Sequence, residues 1–153
     1  MAVVEYIYRR MKASNMKEGR YEYMQTTYST FNNGQHVAGA TMVSHVRTSQ
    51  TGSTVNLSID NTNFGSSQIP GTRSYDMILE RLVNGSWVVV TSRTNLASPH
   101  VGSPLHVTFS GIGIRNASTR IRIHSYKGLY DSSNGRVYRH EYITSHTTPR
   151  FLR

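Results

Sequence analysis

The side chains able to do chemistry in this chain are seven histidines, eight carboxylates, ten tyrosines and fourteen arginines; cysteine is absent. Without a thiol there is no disulfide, no thiolate metal site and no cysteine nucleophile. The histidines (His36, His45, His100, His106, His124, His140 and His146) form no H-x-H or H-E-x-x-H spacing. No metal ligand set and no cofactor are therefore expected. A glycosidase needs two facing carboxylates. Asp76 and Glu80 would share one face of a strand, but Arg93 is expected on that face as well. There is no G-x-S-x-G elbow, glycine-rich phosphate loop or dinucleotide fingerprint. The chain reads as a non-enzyme, with a hydrolase of non-sequential site as the minority reading.

Recognition chemistry is better represented. In Thr119–Tyr126 (TRIRIHSY), strand alternation puts Ile121 and Ile123 on one side and Arg120, Arg122, His124 and Tyr126 on the other, with Lys127 next. The following segment, Arg136–Thr144 (RVYRHEYIT), offers one of two sets to the same side. With Arg136, Tyr138, His140 and Tyr142, the result is a cationic, tyrosine-rich platform. Guanidinium groups there would grip phosphate or carboxylate, and the rings would stack on sugars or bases. With Val137, Arg139, Glu141 and Ile143, Glu141 neutralises Arg120 or Arg122, and Tyr138 and Tyr142 turn to the core. That second register is the plainer, solvated face with cross-strand ion pairs. Trp87 and Leu82 form the other candidate contact, an apolar pair on the mixed face of a hairpin.

That hairpin organises the chain. Ser74–Arg93 carries two β-forming runs around Asn84-Gly85, whose residues accept the positive φ of a tight turn. The expected pairs are Leu82 with Trp87, Glu80 with Val89, Ile78 with Thr91 and Asp76 with Arg93. Tyr75, Met77, Leu79, Arg81, Val83, Val88 and Val90 then share the face expected to be core. Asn33-Gly34 and Asn134-Gly135 are two further turn signals. Alternation also marks Ser53–Asp60, with Val55, Leu57 and Ile59 inward, and Pro104–Gly111, with Leu105, Val107 and Phe109 inward. Further strands are expected in Val3–Met11, Arg20–Phe31 and Val37–Arg47, where Ala38 and Gly39 suggest a bulge. Asn61–Arg73 reads as a crossover between sheets, and Thr94–Ser103 as a loop.

Eight to nine strand candidates and no substantial helix predict an all-β fold, an antiparallel two-sheet β-sandwich of jelly-roll or Greek-key type. At 153 residues this is one domain. Residues 1–19 are set apart as an N-terminal strand or arm, and residues 145–153 as a short, basic, peripheral tail. No segment approaches the roughly 18 apolar residues of a membrane-spanning helix. The N-terminal run MAVVEYIYRRMK does not have the order of a signal peptide, because its charges follow the apolar residues.

Apolar residues are only 37% of the chain and charged residues 16%, so the surface is expected to be polar but largely uncharged. The net charge is +9. It is uneven: residues 1–76 hold seven bases and five acids, residues 77–153 ten bases and three acids. Together these features point to a non-catalytic secreted or surface protein that acts by binding or self-assembly, as a homo-oligomer or polymer. One alternative is a polyanion-binding protein, for nucleic acid or an anionic cell-envelope polymer, including a small capsid-type subunit. A cationic toxin or bacteriocin is another. The expected location is extracellular or surface-associated, with the cytoplasm as the alternative.

Overall fold

The computed structural model describes residues 25–35, 41–63, 72–98 and 104–153. Among them are nine strands and no helix. The strands are β1 (Thr27–Gln35), β2 (Thr41–Thr51), β3 (Thr54–Asn63), β4 (Arg73–Val83), β5 (Ser86–Ser98), β6 (Leu105–Phe109), β7 (Ser118–Asp131), β8 (Arg136–Thr147) and β9 (Phe151–Leu152). One sheet has the order β1-β2-β3-β6; the other has β5-β4-β7-β8, with β9 also on β7, and all pairings are antiparallel. The result is the expected two-sheet sandwich. β3 neighbours β6 in one sheet while β4 neighbours β7 in the other, so the connection after β3 is the expected crossover. Residues 1–19, and with them the proposed arm and the Val3–Met11 strand, lie outside the described residues, as do Ala38 and Gly39.

Alternation builds the core. Val55, Leu57 and Ile59 of β3 and Val107 and Phe109 of β6 face Tyr75, Met77 and Leu79 of β4 and Ile121 and Ile123 of β7, all buried in one cluster. The layer between the sheets is not wholly apolar. Tyr75 is fully buried, and its hydroxyl accepts from Asn33 Nδ2 and Asn61 Nδ2, each at 3.0 Å. Asn33 also donates to Ser44 Oγ (2.8 Å) and accepts from Ser125 Oγ; Ser44 Oγ donates to Asn61 Oδ1 at 2.5 Å. This network joins three strands of one sheet to β4 and β7 of the other.

The central hairpin turns at Asn84 and Gly85, with φ of 50° and 80°, as the sequence requires. Leu82 faces Trp87 and Glu80 faces Val89 as expected. Beyond them the expected register fails: Thr91 faces Leu79 and Arg93 faces Met77, because Val90 forms a β-bulge that shifts the strand by one residue. The core assignment also fails for Val83 at the hairpin end, 44% exposed, and for Val88 and Val90, which are 47% and 37% exposed. β5 is the edge of its sheet, so its inward side has little of the opposite sheet over it. Thr94–Ser98, expected as loop, continues β5.

Two other expectations are corrected. Asn33-Gly34 does not end its strand. β1 runs on to Gln35 through a bulge, with Gly34 at a φ of 82°, and this aims Asn33 into the core. The C-terminal tail is not peripheral. β8 extends to Thr147, Phe151 joins the core cluster, and Arg153 is buried. Its guanidinium donates to Gln50 Oε1 (3.0 Å), Gly52 O (2.8 Å) and Ile112 O (2.9 Å), anchoring the tail to the other sheet.

Removing the Tyr75 hydroxyl strands two buried amide groups at the centre of this network. Tyr75→Phe is expected to cost about 1–3 kcal/mol, read as a lower urea midpoint with unchanged slope. An unchanged midpoint would mean the network is not a stabilising element.

Candidate functional site

The outward face of the five-stranded sheet collects most of the predicted recognition residues. On β7, Arg120, Arg122, His124 and Tyr126 point outward, opposite Glu80, Ile78, Asp76 and Ser74 of β4. Leu82 and Trp87, both half-buried, continue the same face to β5. These six form one surface. Lys127 alternates to the other side of β7, where it pairs with Glu141 at 3.0 Å. Tyr138 lies opposite Leu129 toward the far end of the β7–β8 hairpin, exposed, with its hydroxyl accepting from Asn134. His140 falls at an irregularity of β8, exposed and away from the cluster.

Neither simple register of β8 holds throughout. Tyr126 faces Tyr142 and Gly128 faces Arg139, so a bulge between them brings both Tyr142 and Arg139 to the outward face. Tyr138 and Tyr142 stay out of the core, at 49% and 55% exposure. The expected neutralisation by Glu141 is also corrected: Glu80 takes that role. Its carboxylate accepts from Arg120 Nε at 2.8 Å and from Arg122 Nη2 at 2.9 Å while its side chain is only 5% exposed.

Cations and rings interleave across the face. The Arg120 guanidinium lies 3.9 Å from the centre of the Trp87 ring, and Arg150 approaches the same ring at 5.2 Å. Arg139 lies 4.0 Å from the Tyr126 ring centre, and Tyr142 meets Tyr126 edge-on at 5.6 Å. Such contacts contribute roughly 0.5–2 kcal/mol each, depending on desolvation. Arg139 also reaches across β7 to Asp76 on β4, donating to Oδ1 at 2.7 Å and Oδ2 at 3.0 Å, and to Ser74 Oγ. Asp76 does not pair with Arg93, whose guanidinium donates instead to Thr108 O. His124 Nδ1 is 2.6 Å from Ser145 Oγ.

This arrangement limits acid–base chemistry. The Arg139 hydrogen bonds hold the Asp76 carboxyl below the usual carboxylate range against some desolvation, with the Asn95 N–H assisting. Asp76 is thus held as a carboxylate, and Glu80 is committed to two arginines. Among the described residues no cluster of His, Asp and Glu is placed to hold a metal ion. No helix there is long and apolar enough to cross a membrane. The residues the sequence reading missed are Glu80, Asp76, Arg139 and Arg150 in these roles. Glu80 meets Arg120 and Arg122 through the regular but non-local pairing of β4 with β7, Asp76 meets Arg139 through the bulge in β8, and Arg150 lies in a tail whose sequence gives no sign of being anchored.

Comparison of the chain with family models, curated proteins and solved structures yields no match.

The Asp76–Arg139 pair makes a pH-dependent contribution to stability. Because Asp76 is depressed in the folded state, that contribution is present above the unfolded carboxyl value, about pH 4, and is lost as pH falls through the folded value. Arg139→Ala is expected to lower stability by about 1 kcal/mol at neutral pH, discounted for partial exposure. It should also flatten the acid limb of the stability–pH curve; an acid limb identical to that of the parent protein would refute the assignment.

Proposed function

We propose that this chain is a non-catalytic interaction subunit, a secreted or surface β-sandwich whose partner is a second copy of itself. The observation that carries the reading is the edge strand β5, where Val88, Val89 and Val90 are 47%, 56% and 37% exposed. Among the described residues no strand pairs with its outer side. Long apolar edges are normally blunted by charge or by bulges; β5 has one charged residue, Arg93, in thirteen, and its bulge at Val90 leaves all three valines exposed. The opposite edge, β8, carries Arg136, Arg139, His140 and Glu141.

The two flanks of the sandwich differ in the same sense. Where β1 meets β8, the His146 ring stacks on Phe31 at 4.7 Å and bonds Ser29 Oγ at 2.9 Å. Where β6 meets β5, the polar link is the Arg93–Thr108 bond at 3.2 Å. Antiparallel pairing of β5 with β5 of a two-fold-related copy uses the same patch on both partners and closes as a dimer. Burying the exposed part of the three valines supplies on the order of 3 kcal/mol per partner, against an association cost of about 4 kcal/mol or more. Ladder hydrogen bonds and the neighbouring Trp87 must supply the rest, so association is expected to be weak and concentration-dependent.

Sedimentation analysis of the full chain over a wide concentration range tests this. A monomer–dimer equilibrium is expected, with Val89→Lys monomeric and its far-ultraviolet spectrum unchanged. A parent protein that stays monomeric at the highest concentration, or a V89K chain that still dimerises, overturns it. Removal of residues 1–19 that abolishes association would assign the edge to that arm instead.

A specific observation favours polyanion binding as the second reading: Arg120 and Arg150 flank Trp87, and Arg150 makes no ion pair among the described residues. Retention on heparin that falls steeply with salt and drops in Arg150→Gln is expected on this reading. No retention at low salt removes it.

A further inference from the structure

The outward face of the other sheet carries a second surface, absent from the candidate residues read in the sequence. A groove of about 670 Å³ crosses β1, β2, β3 and β6, lined by Tyr28, Arg47, Asn56, Ser58, His106 and Thr108 among others. That volume is in the range of ligand clefts; most of the lining residues carry a polar group, while most of the exposed lining surface is apolar, as a site for the faces of sugar rings requires. The cross-strand register explains why these groups meet. Tyr28 faces Arg47, Arg47 faces Ser58, Ser58 faces His106 and Asn56 faces Thr108, so one row of outward positions runs across four strands.

The unspent hydrogen-bonding capacity of the groove is on the donor side. Arg47 is exposed and makes no ion pair among the described residues; its guanidinium lies 5.5 Å from the Tyr28 ring centre. Asp60 shares an adjoining hollow with Arg47 without closing a salt bridge. Asn56 Oδ1 already accepts from Thr108 Oγ1 at 3.0 Å, which leaves the two amide N–H donors of Asn56 for a ligand. Ser58 and His106 have no hydrogen-bond partner among the described side chains and add two further polar contacts. The aromatic wall is fixed in place: the Tyr28 hydroxyl is 2.6 Å from His45 Nδ1, and His45 Nε2 is 3.2 Å from Thr62 Oγ1.

This face differs from that of the five-stranded sheet. There, Glu80 and Asp76 occupy Arg120, Arg122 and Arg139. Here the guanidinium is uncommitted, beside an oriented ring and a row of neutral hydroxyl and amide groups. We propose that the groove binds an acidic saccharide, a chain of hydroxyl-rich rings bearing a carboxylate. The carboxylate is taken by Arg47, whose planar fork matches it bidentately. A sugar ring lies on Tyr28, and its hydroxyls accept from Asn56 and exchange hydrogen bonds with Ser58 and His106. An open groove across four strands suits an extended chain better than an isolated small molecule.

Amide-resolved NMR titration of the full chain with an oligogalacturonide tests the proposal, with a neutral glucan of equal length and acetate as comparison probes. Shifts should map to Tyr28, Arg47, Asn56 and Thr108 with the oligogalacturonide. The glucan should bind about tenfold or more weakly, as should the oligogalacturonide to Arg47→Gln. Tyr28→Ala should weaken binding, while Arg115→Gln, at an exposed position between β6 and β7 that does not line the groove, should leave it unchanged. Equal binding of the glucan, shifts confined to the far face, binding insensitive to R47Q, or no shift at millimolar oligogalacturonide would each overturn the proposal. Acetate alone reproducing the full affinity would also overturn it, since it would reduce the site to a simple anion contact.

Discussion

A buried guanidinium held by backbone carbonyl groups governs how this sandwich is assembled. Arg73 opens β4 and is almost completely buried, and among the described residues its hydrogen bonds go to carbonyl oxygens: Asn33 O at 3.1 and 3.0 Å, Gln35 O at 3.1 Å and Thr72 O at 2.9 Å. Burial lowers its pKa, with the neighbouring Tyr75 acting weakly the other way. A cation in such a place is tolerated only where several acceptors surround it. All but Thr72 O come from the β1 bulge, so Gly34's left-handed backbone, Asn33's inward turn and Arg73's burial are one device. Arg153 repeats the solution from the C-terminal tail, with carbonyl and amide oxygen acceptors around its guanidinium. Each arginine fastens one sheet to the other.

This dependence follows from composition. With 37% apolar residues, the chain cannot fill the whole inter-sheet layer with hydrocarbon. The middle of the layer is apolar, and the region around Tyr75 is an amide–hydroxyl network in which Asn33, Ser44, Asn61 and Ser125 satisfy one another. Such a network is directional where hydrocarbon is not, so it fixes how the sheets sit on one another. Gly128 belongs to the same constraint: a Cβ there would lie 2.7 Å from a Val137 methyl and 2.9 Å from a Thr72 methyl. The β7–β8 hairpin can approach β4 only with glycine at that position, and from that approach Arg139 reaches Asp76.

Period-2 alternation made the fold class and the inward faces of β3, β4, β6 and β7 legible, because each is a regular strand with one wet side. The Asn84-Gly85 turn was legible for the same reason: its local chemistry admits few backbones. Bulges were not legible. A single extra residue at Val90, and others near Asn33 and His140, reverses every facing assignment beyond it, and nothing in those side chains announces it. The candidate site shows the consequence. Arg120, Arg122, His124 and Tyr126 were placed together by alternation alone, whereas their partners Glu80, Arg139 and Arg150 required the three-dimensional register. The tail was misjudged because its short, basic sequence resembles a free end, and only the carbonyl groups around Arg153 reveal its anchoring.

The two sheets also divide the chain's positive charge between structure and surface. Arg73 and Arg153 are spent inside, and Arg120, Arg122 and Arg139 are held by Glu80 and Asp76. A net charge of +9 therefore overstates what a partner would meet on the five-stranded face. What that face offers is aromatic area stiffened by bound guanidinium groups, beside an apolar edge, and this favours contact with protein over attraction to a charged polymer. The four-stranded face has the opposite balance, with Arg47 and Asp60 exposed near one another but not ion-paired on an otherwise neutral polar sheet. Charge counted along the sequence weighs the C-terminal half more heavily, and among the described residues it still does after the ion-paired and buried arginines are subtracted: Arg81, Arg93, Arg115, Arg136 and Arg150 remain there, while Arg47 stands alone on the four-stranded face.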